Sequence, residues 1–162
     1  MQADARWAFA RYRAIAHHLP TASRGFPPIS APVPDLSAVI ARYDGFILDA
    51  FGVLNIGGTA IPGAVERIAQ IRAAGKKLVV LTNGASAPQA AALAKYHHWG
   101  FDFAPDEVIA SRDLAAEALR AQAGVWAAIG PAGAPLDDLP GDVRPLDDHL
   151  LATADGFLFL GS

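Results

Sequence analysis

Asp49 is the first residue of the sequence whose surroundings indicate chemistry. It lies in a nearly continuous apolar run, residues 45–54, which is typical of a strand buried on both faces. Ala50, Phe51 and Gly52 come next, so the strand gives way to a glycine-containing loop directly after the carboxylate. A carboxylate in such a place can attack phosphorus, because an aspartyl phosphate divides a difficult hydrolysis into two easier steps. Asp49 is therefore the candidate nucleophile.

A second group of polar residues follows the next apolar run, residues 78–81. Thr82, Asn83 and Gly84 offer a hydroxyl, a side-chain amide and backbone N–H groups, all of which can bind phosphate oxygens. Either group alone is compatible with an ordinary turn, but their joint position at two strand ends favours a phosphate site. Because a carboxylate and a phosphate dianion repel each other, the site also needs a cation, and Mg²⁺ is the usual one.

The elements that must position these residues alternate between strand and helix. The sequence patterns predict strands at 78–81, 107–110, 125–129 and 156–160, and helices at 62–74, at 87–98 and from Ser111 to Gly124. Ser86 is predicted to cap the second helix. This alternation implies βαβ units and a doubly wound α/β fold with a parallel sheet. Ligands bind beyond the carboxyl ends of such strands, where Asp49 and Thr82 lie.

The first part of the chain and its composition narrow the class of protein. Residues 4–19 predict a helix, and the prolines of residues 20–34 predict an extended connector. No apolar run approaches the ~20 residues that a membrane helix needs. The net charge is −3, the basic residues are scattered, and no cysteine occurs. We therefore expect a cytoplasmic protein that binds neither nucleic acid nor a membrane and uses no thiolate chemistry.

The ordered motifs resemble those of the haloacid dehalogenase-like (HAD) hydrolase superfamily, and within it the NagD-like branch, subfamily IIA. The segments that carry the resemblance are, in order, DAFGVLNIG at 49–57, Ile61-Pro62-Gly63-Ala64, Leu81-Thr82-Asn83-Gly84-Ala85-Ser86, Gly100-Phe101 and Ile109-Ala110-Ser111. The resemblance implies a Rossmann-like HAD core. Its N-terminal part would span residues 43–122, residues 123–162 would begin an inserted α/β cap, and residues 1–42 would hold the N-terminal helix and connector.

The resemblance also implies roles for individual residues. Asp49 would be the nucleophile and a Mg²⁺ ligand, and the backbone carbonyl of Phe51 would be a second ligand. Thr82, Asn83 and Gly84 would bind the phosphate. The activity implied is Mg²⁺-dependent hydrolysis of a small phosphorylated metabolite through an aspartyl phosphate.

Two features depart from the family pattern. Phe51 stands where the family usually has an Asp that acts as general acid and base, and the loss of such catalysis typically costs ~10²–10⁴ in rate. The family's later lysine and acidic motifs do not occur, which indicates an N-terminal portion of a longer protein. The acidic pairs Asp137-Asp138 and Asp147-Asp148 are interpreted as solvated loop or helix-cap carboxylates.

Two other functions stay open on the sequence. A catalytically silent HAD-like fragment, binding a phosphate ligand or a protein partner, also agrees with Phe51. Haloacid dehalogenases carry an aromatic residue at this position too, but they insert a large helical cap between the two motifs, and only 32 residues separate Asp49 from Thr82. The apolar strand predicted at 156–160 would leave a sheet edge and one face uncovered, so we expect self-association or poor solubility.

Overall fold

A computed structural model gives the fold of the chain and describes residues 4–19, 29 and 31–161. The chain divides into two compact units, Met1–Pro32 and Val33–Ser162. Within the described ranges, no helix is both long enough and apolar enough to cross a membrane. The second unit contains every residue predicted to do chemistry.

A helix forms in the first unit where the sequence predicts one. Helix α1 spans Ala5–Ala14 and is followed by a 3₁₀ turn at Ala16–His18. The Asp4 carboxylate caps the helix, because it accepts a hydrogen bond from the Trp7 backbone N–H at 2.7 Å. The connector predicted at 20–34 lies largely outside the described residues.

The second unit alternates strands and helices, as predicted. Its strands are β1 (Gly45–Leu48), β2 (Asn55–Ile56), β3 (Thr59–Ala60), β4 (Lys77–Thr82), β5 (Val108–Ala110), β6 (Val125–Ile129), β7 (Asp142–Pro145) and β8 (Gly156–Phe159). Its helices are α2 (Ala64–Ala73), α3 (Gln89–His98), α4 (Ser111–Leu119) and α5 (Asp148–Thr153), with 3₁₀ turns at Leu36–Arg42 and Pro105–Glu107. The predicted α/β class is confirmed.

Several helix ends differ from the prediction, and α2, for example, begins at Ala64 rather than at residue 62 because Gly63 occupies its N-cap position. Helix α3 begins at Gln89 because the extended Pro88 occupies its N-cap position, and no side chain caps it. The expectation that Ser86 caps this helix is therefore wrong. Helix α4 begins at Ser111 as predicted but ends at Leu119, before Gly124.

The first sheet consists of β1, β4 and β5 in the order β1-β4-β5, and all pairs are parallel. One face packs against α2 and α3, and the buried residues of this core include Leu48, Val80, Val108, Ile68 and Leu93. The burial follows the strand alternation, since residues two apart point to the same face. The sheet thereby brings the carboxyl ends of β1 and β4 side by side.

The other face of the first sheet is partly open. Ile47 is 76% exposed and Leu81 is 49% exposed. The prediction that the strand before Asp49 is buried on both faces is therefore wrong. The physical reason is that α2 and α3 pack against the face that carries Leu48 and Val80, so within the described residues the opposite face, which carries Ile47 and Leu81, is only partly covered.

The second sheet is also parallel, with β6 between β7 and β8. The strands predicted at 125–129 and 156–160 are confirmed as β6 and β8. β7 escaped prediction because two of its four residues are the paired charges Asp142 and Arg144, whose side chains are 2.6 Å apart. The Asp147 carboxylate accepts a hydrogen bond from the Leu150 N–H at 2.7 Å and caps α5, as its interpretation as a helix-cap residue predicts.

Gly156 is required by the packing of the second sheet. A Cβ atom at this position would lie 2.6 to 2.8 Å from three ring atoms of Trp126 on β6, so the indole ring would have to move. We predict that Gly156→Ala lowers the free energy of unfolding by about 1–3 kcal/mol, the usual effect of overpacking. Urea denaturation measures this change. Gly58→Ala is the matched control, because its added methyl group would meet no atom within 4 Å; equal losses in the two variants would refute the explanation.

A partly buried ion pair joins the end of α2 to the turn before β5. Arg72 donates two hydrogen bonds to the Glu107 carboxylate at 2.6 and 2.7 Å, and these bonds hold the pKa of Glu107 below its ordinary value of 4.5. Because the pKa of Glu107 is lower in the folded state than in the unfolded state, the pair stabilises the folded protein at pH values above about 4.5. The stabilisation is lost as the pH falls through the lowered pKa.

We therefore predict that Glu107→Gln destabilises the protein at about pH 7 and has a much smaller effect at about pH 3. Urea denaturation of wild type and variant at both pH values measures the difference. Glu117→Gln serves as control, since the side chain of Glu117 is 71% exposed and should matter little at either pH. A Glu107→Gln effect that is independent of pH would contradict this account.

Candidate active site

The residues predicted for the site line a single cavity of about 420 Å³ at the carboxyl ends of β1 and β4. They are Asp49, Phe51, Thr82, Asn83 and Gly84. β1 and β4 are parallel neighbours in which Leu48 pairs with Val80, so the chain leaves both strands at the same edge of the sheet. The convergence that the sequence predicts is therefore present.

The turn after β1 fixes the backbone around Asp49. The Ala50 carbonyl accepts hydrogen bonds from the N–H groups of Leu54 and Asn55 at 2.8 and 3.1 Å. Gly52 has a φ of +83°, which a glycine adopts without strain. One carboxylate oxygen of Asp49 accepts the Ala50 N–H at 2.7 Å, and the side chain is exposed to the cavity. The carboxylate is thus oriented by the backbone and accessible to a ligand.

The loop after β4 is held from two sides. The Thr82 hydroxyl oxygen accepts a hydrogen bond from the Gly84 N–H at 3.1 Å, so the hydroxyl proton remains available to another acceptor. From α4, the Ser111 hydroxyl donates to the Asn83 carbonyl at 3.1 Å. Arg112 donates to the Ala85 carbonyl at 2.8 Å. The loop that would bind phosphate is therefore anchored to the first turn of α4.

Arg112 is a buried cation that the sequence analysis did not single out. Only 1% of its surface is exposed. Besides the bond to Ala85, it donates to the Pro135 carbonyl at 2.6 Å and, through two nitrogens, to the Asp138 carboxylate at 2.5 and 2.8 Å. Arg112 therefore joins the loop after β4 to the segment that follows β6.

The interpretation of Asp138 as a solvated loop or helix-cap carboxylate is therefore wrong. Its side chain is 32% exposed and forms a bidentate pair with Arg112. The hydrogen bonds from Arg112 lower the pKa of Asp138 below its ordinary value. This contact could not be predicted from the sequence, because Arg112 and Asp138 lie 26 residues apart and no sequence motif relates the two segments.

Helix α3 and its C-cap residue Trp99 bring side chains to the cavity that sequence reasoning missed, among them Lys95, Tyr96 and Trp99. Tyr96 is 6% exposed and its ring packs against Phe103, with the centroids 5.4 Å apart. Burial, and to a smaller extent the charge of Asp49, raise the pKa of Tyr96. Its hydroxyl therefore stays protonated at neutral pH and is able to donate a hydrogen bond.

The oxygen atoms of the cavity are compatible with a hard cation. Among the residues that line it, Asp49 carries a carboxylate, Thr82 a hydroxyl, and Asn55 and Asn83 side-chain amides, and the backbone carbonyl of Phe51 is the further ligand that the family resemblance predicts. Among the described residues, no cluster of three or more acidic or histidine side chains forms a complete metal site. Mg²⁺ commonly binds through one or two carboxylates together with substrate phosphate and water, so this donor set fits Mg²⁺ bound together with a phosphorylated ligand.

The sequence matches known phosphatases over part of its length. A model of the haloacid dehalogenase-like hydrolase family matches residues 46–135. Human glycerol-3-phosphate phosphatase is 42% identical over 64 residues, which cover 40% of this chain and 20% of that protein. Human phospholysine phosphohistidine inorganic pyrophosphate phosphatase is 33% identical over 87 residues, covering 51% of this chain and 32% of that protein. The chain thus matches only a fifth to a third of these relatives.

Solved structures show the same fold. A possible sugar phosphatase of the HAD superfamily from Cytophaga hutchinsonii superposes with a TM-score of 0.68 and 22% identity, over 81% of this chain and 49% of that one. Glycerol phosphate phosphatase from Mycobacterium tuberculosis, in complex with magnesium, gives a TM-score of 0.53 at 23% identity, over 75% of this chain and 37% of that one. At these identities the likeness concerns the fold alone.

Proposed function

The chain belongs to the haloacid dehalogenase-like hydrolase family, as its motifs predicted, and on this premise we propose that it hydrolyses small phosphomonoesters with Asp49 as nucleophile and Mg²⁺ as cofactor. Its motifs are those of the NagD-like branch, and its relatives include human glycerol-3-phosphate phosphatase. The observation that carries the proposal is that Asp49 and the loop Thr82–Gly84 line one cavity at the ends of adjacent parallel strands.

The proposed reaction has two steps. An oxygen of the Asp49 carboxylate attacks phosphorus, the bond between phosphorus and the ester oxygen breaks, and the alcohol leaves with the electron pair and takes a proton from water. A water molecule then attacks the phosphorus of the aspartyl phosphate and releases inorganic phosphate and the free carboxylate. Mg²⁺, held by Asp49 and the Phe51 carbonyl, would offset the repulsion between carboxylate and phosphate.

The loop after β4 supplies the donors for the phosphoryl oxygens in this proposal. The Thr82 hydroxyl accepts the Gly84 N–H, so its own proton can be donated to the ligand. The Asn83 side-chain amide offers two further donors. Because Ser111 and Arg112 hold the backbone of this loop, the donors are positioned before the substrate binds.

Phe51 influences which substrates this site would favour. Phe51 is 69% exposed and has no proton to transfer. The ester oxygen that leaves the phosphorus is therefore not protonated by a general acid at this position. Esters of acidic alcohols, which leave without protonation, should therefore react faster than simple alkyl phosphates. This preference follows from the residue in place of the family's usual Asp.

We also propose the domain limits that the motifs imply. Residues 43–122 would form the N-terminal part of the core and residues 123–162 the start of a cap. The second parallel sheet begins at Val125 and is hydrogen-bonded separately from the first sheet, which supports this division. Its hydrophobic cluster also includes Leu119 of α4, so the two segments pack together.

The direct test is hydrolysis of p-nitrophenyl phosphate with and without Mg²⁺. We expect turnover that requires Mg²⁺, disappears on chelation with EDTA and is lost in Asp49→Asn. Turnover that persists in the Asp49→Asn variant would refute the assignment of the nucleophile.

Phe51 also favours a second candidate, a catalytically silent protein that binds a phosphate ligand. The exposed ring provides no acid–base group at the position where the family carries one. Wild-type protein that binds inorganic phosphate but hydrolyses no phosphomonoester in the presence of Mg²⁺ would support this candidate over the first.

A further inference from the structure

The cavity contains a cation that no motif assigns. Among the described residues that line it, Asp49 supplies the negative charge and Lys95 the positive charge. A phosphoryl group bound beside Asp49 adds further negative charge, and electrostatic complementarity then requires cations at contact distance. Lys95 is the side chain of the cavity that can meet this requirement.

Lys95 is held at the cavity by an aromatic ring. Its Nζ atom lies 4.6 Å from the centroid of the Trp99 ring, four residues further along the chain at the C-cap of α3. The ring is fixed in turn, because the Trp99 Nε1–H donates to the Gly58 carbonyl at 3.1 Å and so links α3 to the turn between β2 and β3. The ammonium group is therefore placed near the cavity without a carboxylate partner in the described part of the chain.

We propose that Lys95 is a phosphate-binding residue, whose ammonium group contacts the phosphoryl group held by the loop after β4. A cation–π contact at an exposed site is weak, about 0.5–1 kcal/mol, so the flexible lysine can leave the ring when a dianion arrives. The inference deepens the proposed function, because it rests on the same cavity, and it names a phosphate monoester or inorganic phosphate as the ligand of this side chain. It also makes Trp99 a reporter of binding.

Titration with inorganic phosphate, followed by tryptophan fluorescence, tests the inference without turnover. We expect a saturable signal in wild type that is absent in Trp99→Phe. Lys95→Met should raise the Kd for phosphate by about tenfold or more, because a charge-assisted hydrogen bond is lost. Isothermal titration calorimetry measures the same Kd in the Trp99→Phe variant. Lys95→Arg should restore most of the affinity.

Lys77→Met is the matched control, since Lys77 is the first residue of β4 and lies at the opposite end of the strand from Thr82. Its Kd should equal that of wild type. An unchanged Kd in Lys95→Met, or no phosphate binding by the wild type, would overturn the inference. Binding that depends on Lys95 in a protein that hydrolyses no ester would support the inference and refute the proposed hydrolysis, so the two outcomes are distinguishable.

Discussion

Replacing Asp49 by asparagine is expected to reduce the hydrolysis of phosphomonoesters by at least about 10³-fold, because the covalent route through an aspartyl phosphate is then closed. The amide is nearly isosteric with the carboxylate, and Asp49 is exposed. The free energy of unfolding should therefore change little. Initial rates with p-nitrophenyl phosphate at saturating Mg²⁺ measure the loss.

Asp44→Asn is the control for this substitution. Asp44 is also an exposed aspartate, and it lies just before β1, at the end of the strand opposite to Asp49. Its replacement makes the same change of charge and should leave the rate within about twofold of wild type, since such distant surface charges are screened. Equal losses in the two variants would indicate a general electrostatic effect and contradict the assignment of Asp49.

Replacing Arg112 by methionine is expected to lower the free energy of unfolding by about 3–5 kcal/mol, the usual result of removing one partner of a buried ion pair. The guanidinium group is almost completely buried and donates to Asp138 and to the carbonyls of Ala85 and Pro135. Methionine has a similar length but leaves all of these acceptors without their donor. Urea denaturation measures the effect.

The double variant Arg112→Met/Asp138→Leu separates the contributions to this loss. Removing the carboxylate as well should recover part of the stability, because no partly buried charge is left unpaired. Recovery should be incomplete, since the carbonyls of Ala85 and Pro135 still lack a donor. Arg120→Met, which removes a cation from an exposed pair with Glu117, should change stability by less than about 1 kcal/mol. An Arg112→Met variant as stable as Arg120→Met would contradict the account.

The convergence of Asp49 and Thr82 could be predicted from sequence because it depends only on local patterns and on one rule. Each residue follows a recognisable apolar strand, and the carboxyl ends of parallel strands meet at one edge of a sheet. The order of the sequence motifs also places Asp49 and Thr82 in one site. The family model matches residues 46–135, a range that includes both residues. The chemical roles of these residues remain predictions.

The rest of the site could not be predicted because it depends on tertiary contacts. Lys95 lies inside a predicted helix and Trp99 directly after it, and only the packing of α3 beside the sheet brings the two side chains to the cavity. The partner of Arg112 lies 26 residues away in an irregular segment. The exposure of Ile47 escaped prediction because an apolar strand pattern does not reveal which neighbour is missing on its second face.

Trapping of the covalent intermediate is the measurement that tests the central claim most directly. Wild-type protein would be mixed with Mg²⁺ and an activated phosphate such as acetyl phosphate, quenched in acid within one turnover and mapped by peptide mass spectrometry. The account predicts a phosphoryl group on the carboxylate of Asp49, absent without Mg²⁺ and absent in Asp49→Asn. Turnover of the substrate with no phosphoryl group on Asp49, or with the label on another residue, would contradict it.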